Sequence, residues 1–175
     1  MKRAIGILLL ALMVVHACLR PQGVWVLLAT CDLAALATGF GLVFHQHRLV
    51  ASAFLFQLAI GFPSLVVGML TTYDTNLTGV AIHVVPLAIG AVMVAREGLP
   101  PRSALFAWLG YAVSIVLAYA LAPAVHNINF TASGWPPLAH SMSVATFHAI
   151  VLVIIGLLIG LASLGVRALL AGRRR

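Results

Sequence analysis

Asn76-Leu77-Thr78-Gly79-Val80-Ala81-Ile82-His83-Val84-Val85-Pro86-Leu87-Ala88-Ile89-Gly90 decides how the chain reads. Asn76, Gly79, His83, Pro86 and Gly90 recur at spacings of three, four, three and four, which puts all five on one face of a helix. The rest of the stretch is almost wholly Val, Leu, Ile and Ala, so the helix predicts a lipid-facing surface with a narrow seam of small and polar groups turned toward other helices. His83 is the only titratable group on that seam. An ionisable side chain at membrane depth is costly without a partner and marks a candidate site.

Working outward, the 175 residues are 63% hydrophobic and only 7% charged, with a mean hydropathy of +1.14. A soluble domain carries about a quarter charged residues, so the composition predicts an all-α polytopic membrane protein. The formal charge of +7 does not indicate a nucleic-acid partner, because the basic residues sit at segment ends and termini and form no patch interleaved with aromatics. Cys18 and Cys31 fall at different expected depths and read as free thiols.

Six apolar segments follow in one transmembrane domain over residues 1–175. Met1-Lys2-Arg3 and Ala4–Leu19 have the basic start and apolar core of a signal peptide, but no small-x-small cleavage site follows, and the segment reads as helix one. Helix two is expected over Val24–Phe44, helix three over Leu49–Leu70 with a break at Gly61-Phe62-Pro63, and helix four over Leu77–Ala95. Helix five is expected over Ser103–Ala122, with Ser103, Ala107, Gly110 and Ser114 as a small-residue seam, and helix six over about Leu138–Leu164. Gly156 and Gly160 in helix six form a pair suited to a partner helix or a second copy. Of the ten Lys and Arg, Arg20 alone falls on one side of this arrangement, which predicts a cell-membrane protein with both termini cytoplasmic.

Counted from the outer helix ends, Asp32 lies ~13 Å, His83 ~9 Å and His148 ~15 Å into the bilayer, one polar layer from three helices. Cys31 shares that layer, rotated by about 100° from Asp32. Pro86 has no N–H for the Ile82 carbonyl, which leaves an acceptor beside His83. A carboxylate next to an imidazole fixes its tautomer and prepares a general base. Cys31, Asp32, His83 and His148 are therefore the candidate catalytic residues. His16, Asp74, His126, Asn129 and Trp135 line the outer approach as candidate substrate contacts, although Asp74, with Asn76, is better suited to cap helix four than to bind a ligand. Phe130 and Trp135 read as interfacial anchors or as a lid. The i, i+4 His pairs and Cys-x-x-Cys spacing of a metal site are absent from the sequence, so no metal or cofactor is expected.

Cys31-Asp32-Leu33, Gln46-His47-Arg48, Phe56-Gln57-Leu58-Ala59-Ile60-Gly61, Ile82-His83-Val84-Val85-Pro86 and Asn127-Ile128-Asn129-Phe130 together resemble one family. The chain looks like the YwaF-like six-helix membrane proteins of bacteria, relatives of a eukaryotic phospholipid acyltransferase. That resemblance implies Cys31 as the nucleophile that carries an acyl group as a thioester, His83 as its base, and membrane lipid as the partner. The loop here lacks the Asn-Tyr pair associated with that family. Two readings stay open: an enzyme that transfers or hydrolyses an acyl group in the outer half of the bilayer, and a non-catalytic membrane subunit that is structural or binds haem or metal through histidines.

Overall fold

A computed structural model describes residues 1–70, 77–132 and 141–173. Every regular element among those residues is helical, with no strand among them: α1 (Lys2–Leu19), α2 (Thr30–Val43), α3 (His47–Phe56), α4 (Phe62–Leu70), α5 (Leu77–Glu97), α6 (Ser103–Leu121) and α7 (Val144–Gly172). A 3-10 segment, Gly23–Leu28, precedes α2, and one π-helical turn, Gln57–Gly61, joins α3 to α4. Among the described residues, five helical stretches are long and apolar enough to cross a membrane: Lys2–Leu19, His47–Val67, Leu77–Glu97, Ser103–Leu121 and Val144–Gly172.

The expected helix two is not one helix. Its first part is the 3-10 segment, the chain turns extended at Ala29 (φ −62°, ψ 140°), and α2 proper has 14 residues, fewer than a span requires on its own. The break is made good from far along the chain. Asn129 accepts from the Thr30 N–H at 3.0 Å and donates to the Leu28 carbonyl at 3.0 Å, satisfying backbone groups that the interrupted helix leaves behind. Helix six also differs from expectation, starting at Val144 and running to Gly172. Ser143 caps its start by accepting from the Thr146 N–H, and the apolar run Ala168-Leu169-Leu170-Ala171 carries it past Leu164.

Close helix contact depends on missing side chains. A Cβ on Gly6 would lie 2.7 Å from the Gly39 carbonyl oxygen, so α1 and α2 cross almost backbone to backbone. Gly90 likewise meets the Phe54 Cβ, at 2.5 Å, and seats α5 on α3. α2 then packs on α3, α3 on both α5 and α6, and α6 on α7. Leu157, Leu161 and Leu164 face outward, while Thr38, Gln57, Ser103 and Ser114 are fully buried. An exterior of leucine around an interior of hydroxyl and amide groups is what a hydrocarbon solvent selects. The buried hydroxyls bond to nearby carbonyls, Thr38 to Ala34 at 3.0 Å and Ser103 to Pro100 at 2.9 Å. At the basic end, Lys2 pairs with Glu97, the His47 Nε2–H donates to the Gly98 carbonyl at 2.9 Å, and Arg167 donates to Pro100 at 3.1 Å.

Candidate functional site

α1 ends, and α2 and α5 begin, at the same end of the bundle. The tight crossing at Gly6 and Gly39 brings His16, near the end of α1, over the first turn of α2. His16 Nε2 lies 3.3 Å from Asp32 Oδ1, with both side chains almost fully buried. The two atoms are in close contact but not aligned as a hydrogen bond, and Asp32 Oδ1 has no hydrogen-bond partner among the described residues. On the other side of the ring, His16 Nδ1 lies 2.9 Å from the Thr78 hydroxyl in α5. A neutral imidazole with its proton on Nε2, toward the carboxylate, presents the Nδ1 lone pair to that hydroxyl. Hydroxyl, imidazole and carboxylate thus follow one another in the order that activates an oxygen nucleophile. Arg20 and His83 are close enough to act electrostatically on His16, and Arg20 on Asp32 as well.

The face of α5 expected to turn inward does so at Pro86 and Gly90, which are buried; Gly79 and His83 are half-buried. The His83 Nδ1–H donates to the Gly79 carbonyl one turn back, at 2.8 Å, which leaves Nε2 as the acceptor. The Ile82 carbonyl that Pro86 frees is taken up by Gln57, whose Nε2 donates to Ile82 at 3.3 Å and to the Cys31 carbonyl at 3.1 Å. This fully buried amide therefore ties α2 to α5. Its Oε1 sits where a Cβ on Gly61 would go, 1.9 Å from that position, and has no hydrogen-bond partner among the described residues. Only glycine at the end of the π turn accommodates it.

A second polar cluster lies on the far side of α2. Asn129, held at φ +53°, accepts from the Thr30 N–H and hydroxyl and donates to Leu28 and Ser114. The His148 Nε2–H donates to the Asn129 carbonyl at 3.0 Å, and Tyr119 packs edge-on against the imidazole. His148 thus belongs to the Asn129 clasp and not to the His16 centre. Asp32 starts a helix and does not lie two turns inside one, because the 3-10 segment removes the upper part of the expected span.

Cys31 is partly buried against the core that contains Phe54, Phe56 and Tyr111, about a third of a turn around α2 from Asp32. No hydrogen bond joins it to His83 among the described residues. His126 is half-buried in the turn Ala124–His126, apart from the groups around His16. Asp74, Asn76 and Trp135 lie outside the described residues. Gly156 packs on the Trp108 indole within the chain, whereas a Cβ at Gly160 would meet nothing within 4 Å, so the two glycines do not form one open seam. Among the described residues, no group of three His, Cys, Asp or Glu is placed to hold a metal ion. Reading the sequence missed Gln57, Thr78 and Arg20 as parts of the site. Arg20 alone left a signal, as the one basic residue on its side.

These features define an all-helical protein with several apolar helices of membrane-spanning length. No protein-family model matches the chain, and neither a curated protein nor a solved structure is similar to it at a significant level.

Proposed function

We propose that the chain is a cell-membrane protein crossing six times, with both termini cytoplasmic, and that it transfers or hydrolyses an acyl group of an amphiphile in the outer half of the bilayer. In this topology the 3-10 segment and α2 together make the second crossing. The observation that carries the reading is the chain of contacts from the Thr78 hydroxyl through His16 to Asp32. His16 accepts the proton of the Thr78 hydroxyl or of a water held there, Asp32 orients and charge-balances the ring, and Arg20 offsets the carboxylate. His83, whose Nε2 has no hydrogen-bond partner among the described residues, is the second proton acceptor. The YwaF-like resemblance supports lipid as the substrate and offers Cys31 as an alternative nucleophile.

Lipid turnover by membranes carrying the protein tests this. His16→Gln keeps hydrogen-bonding capacity but loses proton acceptance, and is expected to lower turnover 10²- to 10⁴-fold, the usual share of proton transfer. Cys31→Ser is expected to leave turnover nearly unchanged; a loss as large as that of His16→Gln would move the nucleophile to Cys31. Full turnover in His16→Gln, Thr78→Val and Cys31→Ser alike would defeat the enzymatic reading. A non-catalytic subunit is the second reading, favoured by the way Asn129 and Gln57 spend their amides on tying helices together. A reporter fused after Arg175 that is active only outside the cytoplasm would overturn the topology.

A further inference from the structure

α2, α3 and α6 leave a groove between them on the side of the bundle away from His16. Its enclosed volume is only about 90 Å³ and the rest is open to the surroundings, so it is a shallow groove that seats a chain along the surface of the bundle and not a closed pocket. Its walls are kept wide by Ala34, Ala37, Ala53, Ala107 and Gly110, and a Cβ at Gly110 would meet nothing within 4 Å. Two of the three hydroxyls on its wall are already used. Thr30 bonds to Asn129 at 2.9 Å, and Ser52 to the Arg48 carbonyl at 2.8 Å. The groove therefore offers hydrocarbon contact with few open polar groups.

Along α3 the groove extends from Leu49 to Phe56, about 10 Å, or roughly two-thirds of one hydrocarbon leaflet. Its mouth is at the basic end of the bundle. There the Arg48 guanidinium lies over the Phe106 ring, 5.5 Å from its centroid, and Phe106 lines the groove. Arg48 is exposed, and no ion pair links it to a carboxylate among the described residues. A long apolar slot with an unpaired cation at its mouth has the charge and shape of a bound lipid in reverse.

We propose that this groove holds one acyl chain of an anionic phospholipid from the leaflet at the basic end, with the headgroup phosphate on Arg48. An arginine fork matches a phosphate in geometry and charge. Juxtamembrane basic residues favour anionic lipid by about 1 kcal/mol each, or roughly fivefold in affinity. The site lies on another face of α2 from the His16 centre and does not depend on catalysis there.

Titrating the purified full chain in neutral detergent with dioleoyl phosphatidylglycerol or dioleoyl phosphatidylcholine, read by native mass spectrometry, tests the assignment. The first bound copy of phosphatidylglycerol is expected at roughly fivefold lower concentration than phosphatidylcholine. Arg48→Gln should erase that preference and Arg48→Lys should keep most of it. Gly110→Leu, which fills the groove, should weaken binding of both lipids, and Ala37→Leu should do the same from the α2 wall. Equal binding of the two lipids by the unaltered protein, a preference that survives Arg48→Gln, or unchanged binding in both groove-filling variants would each overturn the proposal. A dimer that Gly110→Leu abolishes would also overturn it, assigning the groove to a partner helix.

Discussion

Replacing Asn129 with Ala should unfasten the break in front of α2. The side chain accepts from the Thr30 N–H at 3.0 Å and the Thr30 hydroxyl at 2.9 Å, and donates to Leu28 at 3.0 Å and Ser114 at 3.3 Å. Polar side-chain bonds between membrane helices average ~0.6 kcal/mol each, which sets a floor of about 2 kcal/mol for the four. The truncation also strands the Thr30 N–H and the Leu28 carbonyl where no helical partner can replace them, and an orphaned buried group costs about 1–3 kcal/mol. With two groups stranded, a total of about 4–8 kcal/mol follows from the two contributions, or a fall in Tm of about 8–32 °C for a chain of this size. Thermal unfolding in detergent, followed by circular dichroism, measures it. Asn129→Asp keeps the acceptor but loses both donors and turns carboxylate toward two carbonyls, so it should be nearly as damaging as Ala. Thr30→Val removes the hydroxyl alone and should cost about 1 kcal/mol. A Tm for Asn129→Ala within about 2 °C of the parent, less than 1 kcal/mol, would refute the clasp.

Gln57→Leu should destabilise by about 1–2 kcal/mol by orphaning the Ile82 carbonyl, and less in a Pro86→Ala background, where an N–H returns to that carbonyl; equal costs in both backgrounds would break the link between Gln57 and Pro86. Gly90→Ala should cost about 1–3 kcal/mol by overpacking against Phe54, while Gly160→Ala, with open space around it, should be neutral or stabilising by a few tenths of a kcal/mol; chemical unfolding of the two side by side checks the contrast. His16→Gln should leave Tm within a few degrees while lowering lipid turnover roughly 10²- to 10⁴-fold, so a large stability loss with activity retained per folded molecule would mark His16 as packing.

Reading the sequence found the inward seam of α5 because a seam is a local pattern: Pro86 and Gly90 announce themselves by spacing alone. It also found the acceptor freed by Pro86, since a missing N–H is a property of one residue. It did not find Gln57 as the donor that meets that acceptor, because nothing near residue 57 records which helix will lie opposite. The same holds for His16 and Asp32. Each reads as a polar group in an apolar helix, but their pairing is set by the crossing at Gly6 and Gly39. The break before α2 was illegible for a stronger reason. Val24–Phe44 has the length and hydropathy of an unbroken span, and only an amide 99 positions from Thr30 makes the interruption tolerable.

That distance sets an order of events during synthesis. When the residues of α2 leave the ribosome, the group that completes their upper end does not yet exist, and at about 5–20 residues per second it arrives roughly 5–20 s later. Until then, Leu28 and Thr30 must find other partners, and a continuous helix through Ala29 is the simplest provisional form. The first third of the chain would then be remodelled by the last third. A nascent chain halted before residue 129 should hold Val24–Val43 as one straight helix, and release beyond that point should bend it.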